Sequence, residues 1–86
     1  MNWQQSRRHY PGQWLLIEAL QAHTQADRRI VEDVAVVGIY DDSPTALDAY
    51  KRLHRTAPER ELYVAHADRD DLDIVERRWL GVRQSL

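Results

Sequence analysis

The sequence predicts a single small α+β domain, with two strands, a helix and a third strand in the order ββαβ. Three observations carry this. Val31, Val34, Val36, Val37, Ile39 and Tyr40 crowd β-branched and aromatic residues into one segment, the composition of a strand. Apolar residues then recur at helical spacing from Ala46 to Ala57, behind the helix-start signal Asp41-Asp42-Ser43-Pro44. Finally, 86 residues that are 43% hydrophobic and 30% charged suffice for one modest core.

Residues 1–9 read as an N-terminal arm, 10–81 as the domain and 82–86 as a C-terminal tail. Tyr10-Pro11-Gly12 is a turn signal, because Pro fixes φ and Gly permits positive φ. Trp14 to His23 carries two signals: Glu18 to Ala22 favours a helix, whereas Trp14-Leu15-Leu16-Ile17 suits a buried strand. It is read as a strand. Arg28 to Tyr40 is the second strand, with Glu32-Asp33 marking a bulge or surface bend. The two would form a long hairpin about Thr24 to Asp27, a loop without the Asn-Gly or Asp-Gly pair of a tight turn.

The helix from Ser43 is expected to take Ser43 as N-cap and Pro44 as first helical residue. Ala46, Leu47, Ala49, Tyr50, Leu53 and Ala57 form its apolar face, and Pro58 ends it. Glu61 to His66 is the third strand, with Leu62 and Val64 on one face and Tyr63 on the other. Asp68 to Gly81 reads as a C-terminal helix with Leu72, Val75 and Trp79 as its stripe. The alternation of Leu72 and Ile74 also fits a further strand, returning against Glu61 to His66. A small antiparallel or mixed sheet with one amphipathic helix on one face leaves its other face and both edges to be covered.

Composition narrows the function classes. Cysteine is absent, which removes disulfides and thiolate metal sites. The net charge of −2 is spread through both halves, so electrostatics name no partner. No apolar run approaches the roughly 20 residues that cross a bilayer, and no secretory leader pattern is present. A cytoplasmic location and no membrane partner are expected.

The order Tyr10-Pro11-Gly12-Gln13-Trp14, a strand, Val36-Val37-Gly38, the helix Ser43 to Arg55 and the strand Leu62 to His66 resembles a group of short uncharacterised prokaryotic domains. These open with aromatic-Pro-Gly-x-Trp and continue as a ββαβ unit. The likeness runs to near Asp68. It implies a fold and carries over no catalytic residue.

No catalytic residue or cofactor is expected. His9, His23, His54 and His66 lack the spacing that puts two imidazoles on one metal, so no metal is expected. His66 with Asp68 and Asp70 is the nearest approach to a ligand set, and those acids also suit a helix start or a solvated turn. Ser43 is a capping residue rather than a nucleophile, and Gly12, Gly38 and Gly81 are too isolated for a phosphate loop. Basic pairs are interleaved with acids, which makes nucleic acid an unfavoured partner. In the arm, however, Trp3, Arg7, Arg8 and Tyr10 have no acidic neighbour before Glu18. With Arg77, Arg78 and Trp79 they are the candidate interaction residues. The expectation is a non-catalytic module that binds itself, as a homodimer, or another protein. The alternatives are a nucleic-acid accessory or antitoxin-like regulator, and a small-ligand or metal-binding enzyme subunit.

Overall fold

A computed structural model describes residues 1–72, 74 and 75. Its elements in chain order are α1 (Trp3–His9), β1 (Trp14–Gln25), β2 (Arg28–Tyr40), α2 (Ser43–Thr56), β3 (Leu62–His66) and β4 (Ile74–Val75). The strands form one antiparallel sheet in the order β3-β1-β2-β4. The α+β class and the ββαβ order read from the sequence are present. No helix among the described residues is long and apolar enough to cross a membrane.

β1 and β2 form the hairpin about which the rest is arranged. Pro11 and Gly12 lead into it through a turn closed by the Gln13 N–H on the Tyr10 carbonyl, with Gly12 at φ +74°. Ala26 and Asp27 close the far end, and Ala26 takes φ 58°. The register slips at three places, leaving Val37, Leu20 and Glu32 each as an extra residue in its strand. Such bulges bend and twist a hairpin. The bulge at Glu32 falls where the acidic pair interrupts the apolar pattern.

Alternation along β1 builds two layers. Leu15 and Ile17 face one side with Val34, Ala65 and Ala67, and Trp3 completes that buried cluster. Leu16 faces the other side, toward Ala49 and Leu53 of α2. Fully burying aliphatic side chains such as Leu15, Leu16 and Ile17 contributes about 1.5–3 kcal/mol each. β3 continues the sheet against β1, pairing Trp14 with His66 and Glu18 with Leu62.

Three expectations are corrected. Residues 1–9 are not a loose arm. Asn2 caps α1 in a capping box with Gln5, and the short helix carries Trp3 into the core at 5% exposure. The sheet therefore has a helix on each face, not one. The N-cap of α2 is Asp42 rather than Ser43: Asp42 is extended at φ −141°, and its carboxylate accepts the Thr45 N–H at 2.8 Å. A carboxylate in that position also meets the positive end of the helix dipole.

The helix expected from Asp68 is not formed over its described part. Residues 68–72 are turn and irregular chain, and Ile74–Val75 pair with Arg28 and Arg29 at the hairpin tip, not with β3. The reason lies in α1. Arg7 takes the carbonyls of Ala67 and Asp68, and the Trp3 indole N–H takes that of Arg69 at 3.0 Å. The Asp68 and Arg69 carbonyls are acceptors that a first helical turn starting at Asp68 would use for itself. Residues 76–81 of that expectation lie outside the described residues.

Candidate interaction surface

The sheet's two layers leave its β2 side unevenly covered. β4 meets β2 at Arg28 and Arg29. Farther along, the Met1 backbone bridges Val34 in both directions, at 2.7 and 3.3 Å, and the Met1 amino group rests on the Asp33 carboxylate at 2.7 Å. From Ala35 to Tyr40 no strand among the described residues lies on the outer side of β2. Along this stretch Val37 is 39% exposed and Ile39 43% exposed.

Local sequence explains why the edge is bare and apolar. Ala35-Val36-Val37-Gly38-Ile39-Tyr40 is apolar at every position, so both of its faces call for cover. Val36 pairs with Ile17 and joins the core, whereas the bulge at Val37 turns that side chain to the α2 side. There Val37, Tyr40, Leu16, Ala49 and Leu53 line a shallow groove of about 350 Å³, with Arg52 at its margin. Ala46 is the buried residue of α2, and on its β3 side Leu47, beside Leu62 and Val64, is left 45% exposed.

Acids bound the edge at each end. Glu32 and Asp33 precede it, and Asp41 and Asp42 follow it, with no charged residue between. Asp42 is held below the usual aspartate range by hydrogen bonds from Thr45, first from its side chain and then from its N–H. Arg52, the nearby cation, is engaged by Asp48 at 3.6 Å.

The opposite edge differs. Near β3, Arg29 grips Glu61 through two bonds of 2.8 and 2.9 Å, and Tyr63 donates its hydroxyl to the same carboxylate. The guanidinium lowers the Glu61 carboxyl, while partial burial and that hydrogen bond push the Tyr63 phenol well up. Arg60 closes on Glu18 at 2.6 Å. These pairs tie the edge strand and its lead-in to the hairpin.

The residues singled out by sequence are divided between other tasks. Trp3 is in the core, and Arg7 holds the Ala67–Asp68 backbone and the Asp70 carboxylate at 3.2 Å. Tyr10 is half-buried against the core beside His9, and Arg8 is exposed. Arg77, Arg78 and Trp79 lie outside the described residues. His66 accepts the Asp68 N–H through Nδ1 and packs edge-on against Trp14, while Asp70 is drawn to Arg7. Among the described residues, no three His, Asp or Glu side chains are grouped as for a metal ion.

Val37 and Ile39 are absent from the residues the sequence singles out, since membership of a strand does not by itself mark a residue as exposed. The signal was the missing alternation: a strand with one wet face carries polar residues at every second position, and Ala35 to Tyr40 carries none. No protein-family model, curated protein or solved structure matches the chain.

Proposed function

We propose that this domain is a non-catalytic protein-interaction module that works by strand addition at the outer edge of β2. One observation carries the reading: on its outer side Ala35 to Tyr40 is an uncharged edge that no strand among the described residues pairs, and it exposes Val37 and Ile39. Edges left open in monomeric proteins are ordinarily blunted by Lys, by Pro or by an inward charge. This one has none of these, and the bulge at Val37 is the one irregularity along it. A strand added here would satisfy the outward N–H and C=O groups and cover Val37 and Ile39, which is how extended peptides are recognised by exposed sheet edges.

A photo-crosslinking residue in place of Ile39, expressed in the native cell, tests the reading. It is expected to trap a protein that the same residue in place of exposed Arg55 does not trap. Val37→Lys should abolish trapping while leaving the melting temperature within a few degrees. Equal trapping from both positions, or trapping that survives Val37→Lys, would count against an interface at this edge.

A further inference from the structure

We propose that the strand added to β2 is β2 of a second copy, paired antiparallel about a two-fold axis so that Ala35 faces the partner's Tyr40. This rests on the strand-addition reading and names its occupant. The limits of the edge set the register. Both outward groups of Val34 are taken by Met1, at 2.7 and 3.3 Å, and β2 ends at Tyr40. Ala35 to Tyr40 is what remains, and an isologous pair that uses all of it centres between Val37 and Gly38. The partner's strand then ends where Met1 begins.

Hydrogen-bond parity points to the same register. Outward groups recur at alternate residues, so Val36 follows Val34, and the extra residue Val37 defers the next to Ile39. Opposite these two on β1 stand Ile17 and Leu15, in step with Gln13 and Ala19, whose backbone bonds run to the β3 side. In the proposed pair Val36 faces the partner's Ile39 at one end and Ile39 faces the partner's Val36 at the other. Outward groups therefore meet outward groups at both places. Centring the pair on Val36 would run the partner into Met1. Centring it on Ile39 would leave Val36 opposite Asp42 of the partner subunit, past the end of its strand.

Side-chain sizes match as well. Ala35 lies opposite the partner's Tyr40 and Val37 opposite the partner's Gly38, a small residue against a large one each time, with the β-branched pair of Val36 and Ile39 between them. The ring of Tyr40 covers Gly38, so Val37 of each copy meets that ring of the other. Both α2 helices fall on one side of the joined sheet. There the two grooves of about 350 Å³ beside Val37 meet at the axis.

Charge favours the pair. Asp33 comes opposite the partner's Asp42, but Asp33 already holds the Met1 amino group at 2.7 Å and Asp42 accepts the Thr45 N–H at 2.8 Å. Glu32 lies beside His23 at 3.4 Å. Val34 comes opposite Asp41 of the partner subunit, which sets that exposed carboxylate beside the Met1 ammonium at each end of the pair. A strand of another protein would need only the edge, whereas these matches in length, parity, size and charge belong to this segment against itself.

The chain has no cysteine, so introduced ones report the register. Facing residues of a hydrogen-bonded pair lie about 5.5 Å apart at Cα, within disulfide reach, and residues three places out of register lie about 10 Å apart. Under mild oxidation an equimolar mixture of the Val36→Cys and Ile39→Cys full-length proteins should form several-fold more disulfide-linked dimer than either protein alone. Light scattering at about 100 µM should give twice the chain mass, since so short a contact implies a micromolar constant. Val37→Lys and Ile39→Lys should each give the monomer, the second serving if the first unfolds. A dimer that survives both Lys variants, or a mixture that links no better than its components, would overturn the inference. A monomeric parent would overturn it too, and the photo-crosslinking residue in place of Ile39 then separates two cases. Trapping of a different protein there and not at Arg55 leaves strand addition standing, and trapping at neither position removes both readings.

Discussion

The ring of Tyr40 lies over the backbone of Gly38, so a β-carbon on Gly38 would sit 2.7 Å from ring atoms Cε2 and Cζ. Gly38 is therefore required for space, not for an unusual φ. A glycine within a strand weakens it, and an aromatic ring laid over the bare backbone restores some cover. Gly38→Ala should cost about 1 kcal/mol, because the ring can swing aside at the expense of that cover. In a Tyr40→Ala background the same change should be neutral or stabilising by about 0.5–1 kcal/mol, the usual gain of Ala over Gly in a strand. Urea denaturation of the four proteins in the cycle measures the coupling. Strict additivity would show that ring and glycine act independently.

At the start of α2 the cap assigns different fates to adjacent residues. Asp42→Ala should lower the melting temperature by about 4–8 °C, the effect of a lost N-cap in a domain of this size. Ser43→Ala, now at the first helical position, should move it far less. Asp42 also bears on pH dependence, since its folded pKa lies below the ordinary 3.8. The unfolded chain thus takes up the proton first. The cap's contribution is complete above that ordinary value and is lost as pH falls through the lower folded value. Asp42→Asn keeps an acceptor but no titration, so its melting temperature should fall less steeply below about pH 4 than that of the parent.

Much of this arrangement was legible because it is local. β-branched density marked β2, the Glu32-Asp33 interruption marked a bulge, and apolar spacing with Pro58 bounded α2. What escaped was long-range. Nothing near Trp3 announces that its indole reaches Arg69, 66 residues away, and a helix of seven residues with one large apolar side chain has no periodicity to read. Around Asp68 the local signals misled, because acids followed by arginines imitate a helix with a well-placed dipole. α1 takes the Asp68 and Arg69 carbonyls, from which such a helix would start. The apolar edge of β2 was visible in the sequence. That no strand among the described residues pairs with it is a property of the assembled sheet.

The bond from Arg29 to Glu61 joins the hairpin to the start of β3, with Tyr63 as a third member. Removing the guanidinium leaves a partly buried carboxylate and a phenol sharing a site. Arg29→Ala is therefore expected to cost about 1–3 kcal/mol. Glu61 titrates below its usual 4.5 in the folded protein, so its contribution is present above that value and fades as pH falls through the folded pKa. Tyr63 works in the opposite sense. Its raised pKa makes a contribution that is complete below the ordinary 10.0 and is lost as pH rises through the folded value. Stability from this group should hold level between these limits, and Arg29→Ala should flatten the acid limb, because the folded Glu61 then loses the guanidinium that holds it below its unfolded value. A pH series of thermal melts on the two proteins measures the difference.

At the hairpin tip Ala26 occupies φ 58°, a region that costs a residue with a β-carbon about 1–2 kcal/mol. Positive φ at the first of two turn residues alone is the pattern in which glycine is usual. Ala26→Gly relieves the strain but frees the unfolded chain, which offsets about 0.4–1 kcal/mol. A net gain of about 0.5 kcal/mol is expected from chemical denaturation. A loss would mean that Ala26 is held by contacts that outweigh its backbone strain.

Trp3 decides between two roles for the N-terminal segment, cover for its own sheet or anchor for a partner. Its side chain lies among Leu15, Ile17, Val34 and Ala65 and donates to the Arg69 carbonyl, so its removal opens a cavity and orphans an acceptor. Trp3→Ala should therefore cost about 3–5 kcal/mol, enough to leave a domain of ordinary stability close to its unfolding midpoint. Trp3→Phe keeps much of the buried area but loses the indole N–H, and should cost less than the alanine variant. Neither substitution should change the mass measured by light scattering under conditions where the protein stays folded, because β2 rather than α1 carries the proposed interface. A Trp3→Ala protein that melts like the parent but changes its mass or loses its partner would reverse the assignment. Trp3 would then be the anchor, and the helix would be docked on its own sheet only while no partner is present.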